Sequence, residues 1–366
     1  MLVREIGQPG RRHHREAHSE PIIDPELPIV DAHHHLWFLP DASLSAIEQH
    51  DSVASRALAP MFRRHSRYLF DEFLTDLKSG HNVLASVFVD AHAMYRTNGA
   101  ESMKSVGEVE FANGIAATSA SGLFGNVKVC AGIVGNVDLR LGAAVEEVLV
   151  AHLRAGGDRY RGVRARGIVY DEDATILGTG NGVPHLLLDD TFRAGFGCLH
   201  RLGLSFDAWL FEPQLPDLID LARAFPETQI ILNHVGAPMG VGRYAGQRKA
   251  RFPLWRERMR TLSQCSNVAV KLGGLGIPFG GFASYNADPP ASSEELAAEW
   301  RPYIDTCIDL FGVERCMFES NFPVDSAACS YAVLWNAFKR VTAGASAAEK
   351  AALFHTTAKR VYRLEC

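Results

Sequence analysis

Eight short apolar runs, each rich in Val and Ile and each closing on polar or charged residues, punctuate this chain. They are Ile29–His33, Val83–Asp90, Val127–Asp138, Arg161–Gly167, Leu204–Leu210, Gln229–Gly236, Asn267–Gly273 and Cys316–Asn321. The runs are continuously apolar rather than alternating, as expected of parallel strands covered on both faces. Between them the apolar spacing turns helical, over Gly142–Ala155, Asp189–Leu202, Gln214–Phe225, Leu254–Ser263, Ser293–Phe311 and Ala327–Val341, with a last helix from about Ala347 to Tyr362. Eight strands, each followed by a helix, predict an α/β fold, a (β/α)8 TIM barrel. An open doubly wound sheet would more often carry a Gly-rich phosphate loop after its first strand, and none is present.

Two segments break the alternation. Residues 91–125 and 277–292, rich in Gly, Ser, Asn and Pro, read as loop insertions over the barrel mouth, the second as a mobile lid. The first 20 residues read as a disordered polar arm, followed by one barrel domain over residues 21–366. A formal net charge of −5 gives no reason to expect nucleic acid or an anionic membrane as partner, so a small-molecule substrate is expected. No apolar stretch reaches the roughly 18 residues of a membrane helix. The 7 cysteines are scattered, without a C-x-x-C pair, which suggests buried free thiols and a reducing cytoplasm. Apolar positions on the outer helices are compatible with a homo-oligomer but form no decisive pattern.

Barrel active sites lie at the C-terminal ends of the strands, where this sequence places its unusual polar residues. The first strand ends Asp31-Ala32-His33-His34-His35. Alternation puts His33 and His35 on one face and His34 on the other, a pincer for a divalent cation or a polarised carbonyl. Asp31, on the pincer's face one layer deeper, could fix an imidazole tautomer. His234 emerges from the apolar sixth run. Around the eighth, Glu319 and Asp325 are candidate general bases, with Asn321 orienting water or a carbonyl. The other reading of Asp325 or Ser326 is a cap for the following helix. On the fourth run Arg164 and Arg166 share a face and could clamp a carboxylate, or instead pair with Asp171 or Glu172. Lys271 and Trp209 line either the site or a core layer.

At these residues the sequence resembles the amidohydrolase superfamily, in its amidohydrolase-related branch, over roughly residues 27 to 364. The resemblance is carried by Val30-Asp31-Ala32-His33-His34-His35-Leu36-Trp37, by Met94-Tyr95-Arg96 with Val106-Gly107-Glu108-Val109-Glu110-Phe111, and by Arg161-Gly162-Val163-Arg164. Leu210-Phe211-Glu212-Pro213-Gln214-Leu215, Leu232-Asn233-His234-Val235-Gly236-Ala237-Pro238 and Phe318-Glu319-Ser320-Asn321-Phe322-Pro323-Val324 complete it. The branch includes hydrolases of fuconolactone, muconolactone-type compounds and 2-pyrone-4,6-dicarboxylate. In the superfamily the first-strand pair, a later histidine and an eighth-strand aspartate hold one or two divalent metals, although the lactonase members can work without one.

Carried over by position, His33 and His35 match the pair, His234 matches the later histidine, and Asn321 stands where the aspartate is usual. Asparagine is neither a general base nor an anionic ligand. No fourth-strand lysine offers a bridging carbamate, and Trp209 stands where metal-dependent relatives tend to have histidine. The resemblance therefore implies at most one divalent metal such as zinc, held by His33, His35 and His234, or metal-independent catalysis. It implies a hydrolase opening a lactone or related ester of a small carboxylated metabolite, with Arg164, Arg166, Trp209, Lys271 and Tyr95 binding substrate. The alternatives are a metal-dependent decarboxylase or amidohydrolase, and a barrel that has lost catalysis and binds a metabolite.

Overall fold

The computed structural model describes residues 20–285 and 287–365. Eight parallel strands form one sheet: β1 Ile29–His34, β2 Val83–Val89, β3 Lys128–Val137, β4 Tyr160–Ala165, β5 Ser205–Ala208, β6 Ile230–Leu232, β7 Val268–Lys271 and β8 Cys316–Met317. Neighbours in space are neighbours in sequence, from β1 to β8. The barrel closes just beyond the end of β8, where the Asn321 N–H donates to the His33 carbonyl at 2.8 Å and the His35 N–H to the Phe322 carbonyl at 2.8 Å. Each expected run overlaps one of these strands, with β1 running one residue further and β4 starting one residue earlier than expected.

An outer helix packs after each strand: α1 Phe70–Leu77, α2 Val106–Ala120, α3 Val145–Gly156, α4 Asp190–Arg201, α5 Leu215–Ala224, α6 Arg248–Ser263, α7 Ser293–Phe311 and α8 Tyr331–Val341, with further helices at Asp41–Gln49 and Val53–Arg64 ahead of α1 and at Ala347–Ala351 and Thr357–Val361 after α8. The bounds of α7 are those expected, because its start is chemically marked. The Ser292 side chain accepts from the Glu295 N–H while the Glu295 carboxylate accepts from the Ser292 N–H, and Gly312 stops the helix at φ 76°.

Other expectations shift. Residues 91–125 are not one long loop, since they contain α2. Gly107 lets that helix press onto the preceding loop, where a Cβ would stand 2.7 Å from the Met94 carbonyl oxygen. Residues 277–285 and 287–292 hold only a short 3-10 turn at Pro278–Gly280, with Phe279 and Phe282 buried. Of the expected N-terminal arm, residues 1–19 lie outside the described residues, while Glu20 is tied to Ser293 and Asn336. All six cysteines among the described residues are free and buried. No helix among the described residues is long and apolar enough to cross a membrane.

Two apolar layers result. Between sheet and helices lies the larger core, with Phe206 against Phe192 and Phe196, and Phe318 against Phe338 and Phe354. Inside the barrel Val30, Ala32, Val87, Val134, Ile231, Ala269 and Met317 meet residues of the chain's end, among them Val361, Tyr362 and Leu364. The tail thus fills the lumen below, leaving the polar strand ends above it.

Candidate active site

A register irregularity in β1 between Asp31 and His34 decides which residues face inward. Val30 and Ala32 pack in the lumen. Asp31 turns the other way, where its carboxylate accepts from the His33 and Ser320 N–H groups and from the Tyr331 hydroxyl of α8. Asp31 therefore does not fix an imidazole tautomer as alternation suggested, because the irregularity breaks the count of two. Burial pushes its carboxyl up to about 6 against the hydrogen bonds it accepts. Beyond the irregularity alternation resumes. His34 lies on Phe73, ring centroids 4.1 Å apart, while His33 and His35 face the site with their Nε2 atoms 3.1 Å apart.

Glu319 is the centre of the arrangement. It is fully buried, with Oε1 2.7 Å from His234 Nδ1 and Oε2 2.8 Å from His33 Nδ1, and no donor is directed at Oε2. Three glycines after β7 make room. A Cβ on Gly274 would stand 2.0 Å from His234 Nδ1, one on Gly273 2.5 Å from the Glu319 side chain, and one on Gly276 3.0 Å from Asp325. Gly273-Gly274-Leu275-Gly276 carries no acid or base, and its signal in the sequence is the glycine density just after a strand.

Asp325 is equally buried but stands behind the site. Its carboxylate accepts from the Asn321 side-chain amide at 2.6 Å and from the Gly276 N–H at 3.0 Å. Burial pushes it up to about 8, although both hydrogen bonds favour the charged form. Neither Asp325 nor Ser326 caps α8, which Ser330 caps. Asp325 thus orients Asn321 and the glycine loop.

Arg164 reaches into the site, but its guanidinium is occupied. Nε donates to Asp90 at 2.5 Å, a second nitrogen donates to the Asp90 carbonyl, and NH1 stands 3.5 Å from His33 Nε2. The ion pair considered for it with Asp171 or Glu172 does not form; those residues pair with Arg243. Arg166 is exposed. Burial would raise the Asp90 carboxyl, but Arg164 and His92 hold it below the usual range. Next to it Glu108, from the first turn of α2, accepts from the Ala91 and Ala93 N–H groups, and burial pushes its carboxyl up to about 8. In the sequence Glu108 stands out only as part of a motif, and Asp90 only as the end of the second apolar run. The Tyr95 hydroxyl, also buried here, has no partner. Trp209 closes one side with its ring 4.8 Å from that of His234, and Phe211 and Phe279 continue an aromatic roof. Lys271 lies wholly within the protein against His33 and Asp207.

The residues that could hold a cation are His33, His234 and Glu319, whose ligating atoms lie within 4.8 Å of one another. His35, expected as the third ligand, is outside that set, although its Nε2 faces His33. The orphaned Glu319 Oε2 fits a bound cation: metal coordination through His33 Nε2 requires the ring proton on Nδ1, where that oxygen would accept it.

The amidohydrolase family profile matches residues 30–364. The chain belongs to the amidohydrolase family. A curated relative from Sinorhizobium fredii, named uncharacterized protein y4mH, is 34% identical over 93% of this chain and 99% of its own length. L-fucono-1,5-lactonase of Burkholderia multivorans is 28% identical over 64% of this chain and 72% of its own. Among solved structures, a zinc-bound amidohydrolase from Burkholderia multivorans superposes with a TM-score of 0.68 at 25% identity, over 92% of this chain and 99% of that one.

Proposed function

We propose that this amidohydrolase opens a lactone by attack of water on its carbonyl. The observation that carries the reading is the His234–Glu319 pair. The N–H on His234 Nδ1 is held by a buried carboxylate at 2.7 Å, which leaves Nε2 as the free basic nitrogen. Glu319, with no exposed surface, acts through His234 rather than on water directly. His234 Nε2 takes a proton from water as the oxygen adds to the carbonyl carbon. Collapse of the tetrahedral adduct breaks the ring C–O bond, and the departing oxygen receives that proton from His234. A divalent cation such as zinc, held by His33, His234 and Glu319 or by the three histidines, would occupy His234 Nε2 and would supply carbonyl polarisation and an acidified water in place of that base.

Arg164 is neutralised by Asp90, and carboxylates rather than free guanidinium groups dominate this side of the site. That favours a lactone recognised through hydroxyl groups over one anchored by a carboxylate. Trp209 supplies an apolar wall, and the exposed Arg166 stands outside the first contacts. The name of the Burkholderia relative agrees with a sugar-acid lactone.

The test is acid release from L-fucono-1,5-lactone and from 2-pyrone-4,6-dicarboxylate, followed with a pH indicator, with and without zinc. Turnover of the sugar lactone is expected, and Glu319→Gln should lower kcat by about 10²- to 10⁴-fold. No turnover of either lactone, or a Glu319→Gln protein at full rate, rejects the reading.

A further inference from the structure

Beneath the site a file of buried polar groups runs from the C-terminal tail to His33. Asp207 Oδ1 on β5 accepts from the Tyr362 hydroxyl at 2.8 Å, from the Asn233 side chain at 3.0 Å and from Lys271 Nζ at 2.7 Å. Lys271 Nζ also lies 3.3 Å from His33 Nδ1. Asp207, Lys271, Tyr362 and His33 have no exposed surface, so these contacts are not exchanged for water.

The hydrogen-bonding capacities of the partners fix where the protons are. An ammonium paired with a carboxylate has donors only, so it can bond His33 Nδ1 only if that nitrogen is bare, with the ring proton on Nε2. His33 Nε2–H then donates to His35 Nε2 at 3.1 Å, the nearer partner, while the Arg164 guanidinium, itself a donor, stands off at 3.5 Å, beyond the usual hydrogen-bond range. His35 Nε2 is bare because His35 Nδ1 must carry a proton to bond the Val89 carbonyl oxygen at 2.9 Å. On the other side of the same His33 nitrogen, 2.8 Å away, stands Glu319 Oε2, an acceptor with no directed donor. One imidazole nitrogen therefore faces a group that requires it bare and a group that requires it protonated.

We propose that Lys271, positioned by Asp207 and Tyr362, selects the tautomer of His33. With Lys271 in place the proton sits on Nε2 and His33 is a hydrogen-bond donor into the site. A divalent cation on Nε2 must send that proton to Nδ1, toward Glu319 and against the Lys271 ammonium, so the same lysine weakens metal binding. Lys271, Asp207 and Tyr362 are positioning residues, and the inference rests on the site described above but not on the identity of the lactone.

The experiment therefore uses no substrate. Two-bond ¹H–¹⁵N spectra of chelator-treated, full-length protein labelled at its 15 histidines, with His33 assigned by His33→Gln, report which nitrogen is protonated. Zinc affinity is read by competition with a chromogenic chelator. The expected wild-type tautomer is Nε2–H. Lys271→Met should move it to Nδ1–H and tighten zinc by about tenfold, since a like charge next to the ligand ring is removed. Lys271→Arg should retain the wild-type tautomer. Tyr362→Phe should shift both readouts partway, and should have no further effect in the Lys271→Met background. Lys271→Met alone leaves Asp207 charged and buried, so Lys271→Met/Asp207→Asn, which keeps the charge balance, is measured beside it. Wild-type protein with His33 already in the Nδ1–H form, or a folded Lys271 variant with unchanged tautomer and zinc affinity, overturns the proposal.

Discussion

His234 stands against Gly274, a residue with no side chain to draw the eye. Both have left-handed φ values, 55° and 63°, and the glycine has no Cβ where the imidazole must stand. Gly274→Ala should therefore break the 2.7 Å bond between His234 and Glu319. We expect kcat to fall by at least about 100-fold, with about 1–2 kcal/mol lost from stability. Steady-state kinetics and urea unfolding check the two effects, and an active Gly274→Ala enzyme would show that the imidazole can be placed another way. At this scale the histidines and Glu319 were legible, because buried imidazoles and carboxylates at strand ends announce themselves by type. Asp31 was misplaced by counting in twos across an irregular strand. The partner of Arg164, Asp90, was hidden because the two are 74 residues apart.

Among the elements, α3 is docked by a polar contact as well as an apolar one. His152, wholly buried, meets the Ser105 hydroxyl at 3.0 Å and the Tyr160 hydroxyl at 3.1 Å. Burial lowers its pKa from 6.5 to about 4. The unfolded chain therefore takes up a proton below pH 6.5 that the folded chain refuses until about pH 4. The stability carried by the neutral ring is complete above pH 6.5 and is lost as the pH falls through 4, to a total of about 3 kcal/mol. His152→Gln removes this dependence. Urea unfolding at pH 7.5, 5.5 and 4.5 should show wild type losing ground to His152→Gln at each step, and a constant difference would rule the mechanism out. The element α2 was read as loop because Gly107, Asn113 and Gly114 are poor helix formers. Its glycine at 107 answers to a backbone contact with the loop before it, and local propensity carries no trace of such a neighbour.

For the molecule as a whole, the end of the chain completes the beginning. Leu364 enters the lumen beside Gly132 and Val87, where a Cβ on Gly132 would stand 2.9 Å from it. Leu364→Ala should leave a cavity in the barrel floor and cost about 2–3 kcal/mol in urea unfolding; a loss under about 0.5 kcal/mol would mean that the tail is not part of the core. The sequence by itself determined the eight-strand order, most of the outer helices and the strand-end histidines and carboxyl groups able to do acid–base or metal chemistry. Those depend on apolar periodicity and on side-chain type, both local properties. Only the tertiary structure decided that Glu319 stands between two imidazoles, that Asp325 stands behind Asn321, that Asp90 occupies Arg164, and that Lys271 and Tyr362 reach His33 from below. Each of these is a contact between groups distant in the chain or turned by an irregular backbone. Closing the barrel brings them within bonding distance, and burial away from competing water makes their pairing count.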